Sequence, residues 1–125
     1  MEPTTVARGG CLLCAVLLLI LAPPPSASQD RAVVRVTAER FTFTPSQIKV
    51  KRGTVVEFRL RSEDTNHGFH ILDSDTNVII PKRGRGEATV VFRADNPGRY
   101  TFECSKICGA GHSFMRGVII VDEQE

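Results

Sequence analysis

The chain is 125 residues long, with a formal net charge of +2, no Trp, one Tyr and four Cys. That length suits a single domain. The mild charge balance offers no concentrated basic face, so nucleic acid is excluded as a partner.

Taken in chain order, the first element reads as an export signal. Cys11 to Ala22 is an apolar run preceded by Arg8 and followed by Pro23-Pro24-Pro25, and Ser26-Ala27-Ser28 offers small residues for cleavage. A membrane-spanning helix needs about 20 apolar residues, and this run falls short. A retained, interfacial anchor is the alternative. Residues 1–28 are therefore expected to be a cleaved signal peptide, and residues 29–125 the domain. Export places that domain in the periplasm or on the outer face of the cytoplasmic membrane. Only Cys104 and Cys108 remain in it.

Beyond residue 30, helical periodicity is absent and short β-rich runs alternate with turn signals. Ala32 to Ala38 predicts a strand with Val34 and Val36 on one face. Phe41, Phe43 and Pro45 are expected to continue it in extended form, followed by a strand over Gln47 to Val50 and a turn at Lys51-Arg52-Gly53. Thr54 to Arg61 alternates, with Val56, Phe58 and Leu60 facing inward. His67 to Leu72 and Asn77 to Ile80 predict strands around a polar turn at Asp73 to Thr76. Pro81 to Gly86 is a loop whose Lys82, Arg83 and Arg85 read as a solvated turn, or as a docking patch for an acidic redox partner. Glu87 to Ala94, Arg99 to Glu103 and Gly117 to Val121 predict the last strands, with a turn at Asp95 to Gly98. Seven to nine strands without a helix mean an all-β sandwich or barrel. The segment Cys104 to Met115 joins the last two strands and lies at one end of it, where binding residues tend to sit.

That segment reads Cys104-Ser-Lys-Ile-Cys108-Gly-Ala-Gly-His112-Ser-Phe-Met115. Thiolate and thioether are soft donors suited to Cu(I), and imidazole suits both oxidation states of copper. A mononuclear blue-copper site uses one Cys. Two thiolates can instead bridge two copper ions and spread one electron over both, which limits the geometric change on reduction. His112 and Met115 supply terminal donors, and a second His must come from elsewhere. His67 stands at a strand start and His70 within the strand with opposite parity, so only one reaches the site, and His67 is the choice. A Cys104–Cys108 disulfide stays open, as two Cys in an exported chain suggest. A zinc site also stays open, although it leaves Met115 without a role.

At these residues the sequence resembles the CuA domain of cytochrome c oxidase subunit II. The resemblance rests on the Cys104-to-Met115 motif, on His67-Gly-Phe-His70 and on Asn96-Pro-Gly-Arg-Tyr100, and it runs over residues 32 to 122. It implies a cupredoxin-like Greek-key β-sandwich. It further implies that Cys104 and Cys108 bridge two coppers, that His67 and His112 are terminal ligands, that Met115 is a weak one, and that the Lys106 carbonyl makes the remaining contact. The implied function is one-electron transfer from a c-type cytochrome or similar carrier toward the catalytic subunit of a haem-copper oxidase, with no bond chemistry on this chain. A similar domain occurs in nitrous oxide reductase, so the motif does not fix the parent system. A copper-binding or delivery module, and a purely structural sandwich, are the other functional classes. Three features depart from the resemblance. Lys106 stands where Glu helps hold a Mg site, no Trp marks the region through which electrons arrive, and no membrane hairpin is present.

Overall fold

The computed structural model describes residue 1, residue 3 and residues 28–123. Residues 2 and 4–27 of the segment read as an export signal lie outside the described residues. Nine strands follow one another: β1 (Arg31–Glu39), β2 (Thr42–Thr44), β3 (Gln47–Lys51), β4 (Val55–Ser62), β5 (His67–Ile71), β6 (Asn77–Ile80), β7 (Ala88–Arg93), β8 (Gly98–Glu103) and β9 (Arg116–Asp122). They form two sheets, ordered β2-β1-β4-β7 and β3-β9-β8-β5-β6. Both sheets are mixed, since β1 runs parallel to β4 and β3 parallel to β9 while the other pairs are antiparallel.

The two sheets face each other because period-two alternation gives each strand one apolar face. On β4, Val56, Phe58 and Leu60 are fully buried, and Val36 and Ala38 of β1 join them. The opposing sheet supplies Phe69 and Ile71, Phe102, Ile119 and Ile80. Burying each large side chain stabilises the fold by ~1.5–3 kcal/mol relative to leaving it exposed.

Four aromatic rings mark the centre. Phe69 lies 5.0 Å from Phe102 and 5.5 Å from Phe58, and Phe43 lies 5.2 Å from Phe102, all ring centroid to centroid. Phe69 is two residues past His67 and Phe102 two residues before Cys104. The same alternation that buries these rings therefore aims His67 and Cys104 into the sandwich.

One expectation needs correction. Phe41 to Pro45 does not extend β1. The chain turns at Arg40 and Phe41, and β2 folds back antiparallel onto β1, pairing Thr37 with Thr44. An alternating Phe pattern marks extended backbone but not where it reverses. Only Phe43 enters the core, while Phe41 packs beneath the Cys104-to-Met115 loop. The Cys104-to-Met115 loop holds one short regular turn. His112–Phe114 form a 3-10 turn, too short to leave any periodicity in sequence.

Candidate metal centre

β5 and β8 converge at one end of the sandwich, with His70 opposite Glu103. His67 is the first residue of β5 and is fully buried. Cys104 follows β8 directly, and its N–H donates to the Met115 carbonyl at 3.0 Å. That bond closes the loop at its neck. Inside it, the His112, Phe114 and Met115 N–H groups donate to Gly109, Gly111 and His112 carbonyls. Gly109 sits at φ +146°, a conformation that L side chains rarely adopt.

This scaffold brings six donors together. The Cys104 and Cys108 sulfurs are unbonded and 3.7 Å apart, where a disulfide would hold them near 2.05 Å. Cys104 Sγ has His67 Nδ1 at 3.9 Å and the Lys106 carbonyl at 3.1 Å. Cys108 Sγ has His112 Nδ1 at 3.7 Å and Met115 Sδ at 3.9 Å. Each sulfur thus carries its own imidazole and its own weak donor. His67, Cys104 and Cys108 place their ligand atoms within 4.8 Å of one another. Cys104, Cys108, Met115 and His67 are buried and His112 half-buried.

His70 is not part of this group. It sits half-buried on the opposite face of β5, paired in register with Asn77 of β6. His67→Ala is therefore expected to remove the metal-dependent spectrum of the copper-loaded chain. His70→Ala should leave it nearly intact, as recorded by visible absorption.

The residues around the donors were not legible as site residues. Asp64 Oδ1 lies 2.6 Å from His67 Nε2, which leaves Nδ1 turned toward Cys104. A carboxylate on the outer ring nitrogen fixes a histidine's tautomer and orientation. Asp64 also accepts from the N–H groups of Arg40 (3.0 Å) and Thr65 (2.7 Å). The Arg40 guanidinium donates to the Cys108 carbonyl at 2.6 Å, so the β1–β2 corner ties both halves of the centre. The one sequence signal for Asp64 was a carboxylate three residues before a histidine.

Burial pushes the Asp64 carboxyl up, but the His67 bond and the two N–H donors outweigh it and bring it down to about 2. Its value in the folded chain lies below the unfolded one. The stabilisation is complete above pH ~4 and is lost as pH falls toward 2, by at most about 2 kcal/mol. Urea unfolding of the metal-free chain from pH 6 to pH 2.5 should show this slope, and Asp64→Asn should flatten it. Burial and the neighbouring Cys104 push the Cys108 thiol up to about 11. Metal binding here must displace that proton.

The donor chemistry fits copper better than zinc. Two histidines and two cysteines would complete a zinc site. Met115 is nonetheless fully buried with its sulfur turned to Cys108, and a thioether is a soft ligand that favours copper.

A family model described as a cupredoxin-like domain matches residues 11–121. Cytochrome c oxidase subunit 2 of Thermus thermophilus is 33% identical over 125 residues, covering 98% of this chain and 86% of the relative. Nitrous-oxide reductase of Ralstonia nicotianae is 33% identical over 96 residues, covering 74% of this chain but 15% of that protein. A solved haem-copper terminal oxidase dimer contains a chain with a TM-score of 0.62 and 27% identity, covering 87% of this chain and 77% of that one. The chain therefore belongs to the cupredoxin-like domain family and, within it, to the cytochrome c oxidase subunit 2 proteins.

Proposed function

We propose that this chain passes single electrons through a dinuclear copper centre, from a c-type cytochrome or similar carrier toward the catalytic subunit of a haem-copper oxidase. The observation that carries this reading is the pair of sulfurs 3.7 Å apart, each flanked by a different imidazole and a different weak donor. Bound copper supplies the one-electron redox couple. Cys104 and Cys108 would hold the copper through their thiolates, His67 and His112 through their imidazoles, and Met115 and the Lys106 carbonyl would serve as weaker donors. The chain's residues hold these donors in place through Asp64, Arg40 and the Cys104–Met115 backbone bond, so that little moves when charge changes. The chain acts as an electron-transfer component.

The apolar run before residue 29 supports export, which puts the centre on the periplasmic side. Among the described residues no helix is long and apolar enough to cross a membrane. The burial of Cys104, Cys108, Met115 and His67 weighs against a storage or delivery module, which needs readily exchanged metal. The match to cytochrome c oxidase subunit 2 over 98% of this chain, against 74% for nitrous-oxide reductase, favours the oxidase system.

A redox titration of the copper-loaded chain tests the reading. It should take up one electron for every two copper atoms in a single wave. Uptake of one electron per copper would contradict it. Met115→Leu changes packing little, because Met and Leu interchange at under about 1.5 kcal/mol. It should retain copper yet shift the midpoint potential, because a thioether donor would tune the metal it holds.

A further inference from the structure

We propose that the surface over the metal loop docks an acidic one-electron carrier protein, which recognises an apolar centre rimmed by lysine and arginine. The proposal rests on the electron-transfer reading above and adds the chemistry of the partner.

The apolar centre consists of side chains that the fold leaves in solvent. Ile107 is 83% exposed and Phe114 82%, and they flank Cys108 and His112 on the loop. Ile79 is half exposed. It pairs with Gly68 across β5 and β6, and directly opposed residues point to the same face. A Cβ on Gly68 would meet Ser105 and the Lys106 nitrogen, so Ile79 emerges beside the Ser105–Lys106 stretch. Ser105 confirms that placement by donating to Asn77 Oδ1 of β6 at 2.7 Å. Large exposed side chains grouped around a buried site mark an interaction surface.

The rim is basic. Lys106 stands in the loop itself. The β6–β7 loop brings Lys82, Arg83 and Arg85 to the same end. It is pinned there by the Lys82 N–H on Asn66 Oδ1 (2.7 Å) and the Arg83 N–H on the Asp64 carbonyl (3.1 Å). The acidic groups at this end are largely engaged. Asp64 is turned to His67, Glu103 pairs with Arg116, and Glu63 pairs with Arg61 and lies 3.9 Å from Arg83. Glu39, which closes β1, and Glu87, in the β6–β7 loop beside Arg83, are exposed at this end as well and offset part of the rim's positive charge. Among the described residues, Lys82, Arg85 and Lys106 have no carboxylate within ion-pair distance. The exposed carboxylates Asp73 and Asp75 lie at the far end of β5 and β6. A carrier with an acidic rim would be steered to the metal end, and a basic one turned away from it. The carrier is oxidised by one electron and the centre reduced by one, with no proton transferred.

Isotope-labelled full chain, metal-free and copper-loaded, should be titrated at low salt with two probes, native basic mitochondrial cytochrome c and the same protein succinylated on its lysines. The acidic probe should shift the amide resonances of residues 79, 82–85, 106–107 and 114, and its affinity should fall about tenfold or more as ionic strength rises through the physiological range. The double substitution Lys82→Glu with Arg85→Glu should weaken that binding about tenfold, with unchanged resonances elsewhere showing that the fold persists. Equal or tighter binding of the native basic probe at these residues would overturn the proposal, as would binding of the acidic probe at another face. The metal-free titration reads docking alone, so a failed copper count would sink the electron-transfer reading without obscuring this result.

Discussion

Replacing Cys104 or Cys108 by Ser is expected to abolish the signal of one electron shared between two copper nuclei and to lower copper binding to one ion or none. The two sulfurs occupy the middle of the donor group, with each histidine in reach of one of them. A serine oxygen is a harder donor than a thiolate and is a poor bridge between two copper ions. The fold itself should survive. Cys104 and Ser are close in size, and the Gly68 N–H that now points at Cys104 Sγ (3.4 Å) can donate to a hydroxyl. A loss of about 1 kcal/mol in the metal-free chain is reasonable for such an exchange. Electron paramagnetic resonance with a copper count reads the first effect, and denaturant unfolding of the metal-free protein reads the second.

Gly68→Ala should be strongly damaging although it lies outside the donors. A Cβ there would come within 2.7 Å of the Ser105 and Lys106 backbone nitrogens and closer still to Ser105 Oγ. Two of these are backbone atoms of the metal loop, so the clash cannot be relieved by rotating a side chain. Either β5 or the loop must shift, and overpacking of this kind costs about 3 kcal/mol. The shift also carries His67, the residue before Gly68, away from Cys104. The expected result is a thermal midpoint several degrees lower and much weaker copper binding in the surviving folded fraction. Gly68→Ala with unchanged stability would mean that the loop does not lie on β5 as described.

The β-architecture was legible because alternation is a local property. Val56, Phe58 and Leu60 carry it so clearly that their burial on β4 follows from spacing alone. The metal loop was legible for a different reason, since its two sulfurs, imidazole and thioether lie within one short segment. Strand parity showed that only one of His67 and His70 could reach the loop, since three residues reverse the face, and the structure keeps them on opposite faces with His67 the buried one. What the sequence hid is long-range. Asp64 could be seen near His67, but not its simultaneous bond to the Arg40 N–H. Arg40 and Cys108 are 68 positions apart, and no local pattern links them. Gly68 looks like a strand weakness until the loop is seen resting on it. Phe41 looked like one more strand residue, yet a Cβ on Gly109 or Gly111 would strike its ring, so it serves as the floor of the loop.

The decisive measurement is electron paramagnetic resonance of the purified, copper-loaded chain, taken together with its copper content. Two coppers per chain and a hyperfine pattern shared equally by both nuclei are the predicted result. A single copper with its own four-line-type pattern, or a native protein whose Cys104 and Cys108 sulfurs are joined to each other, would contradict the account.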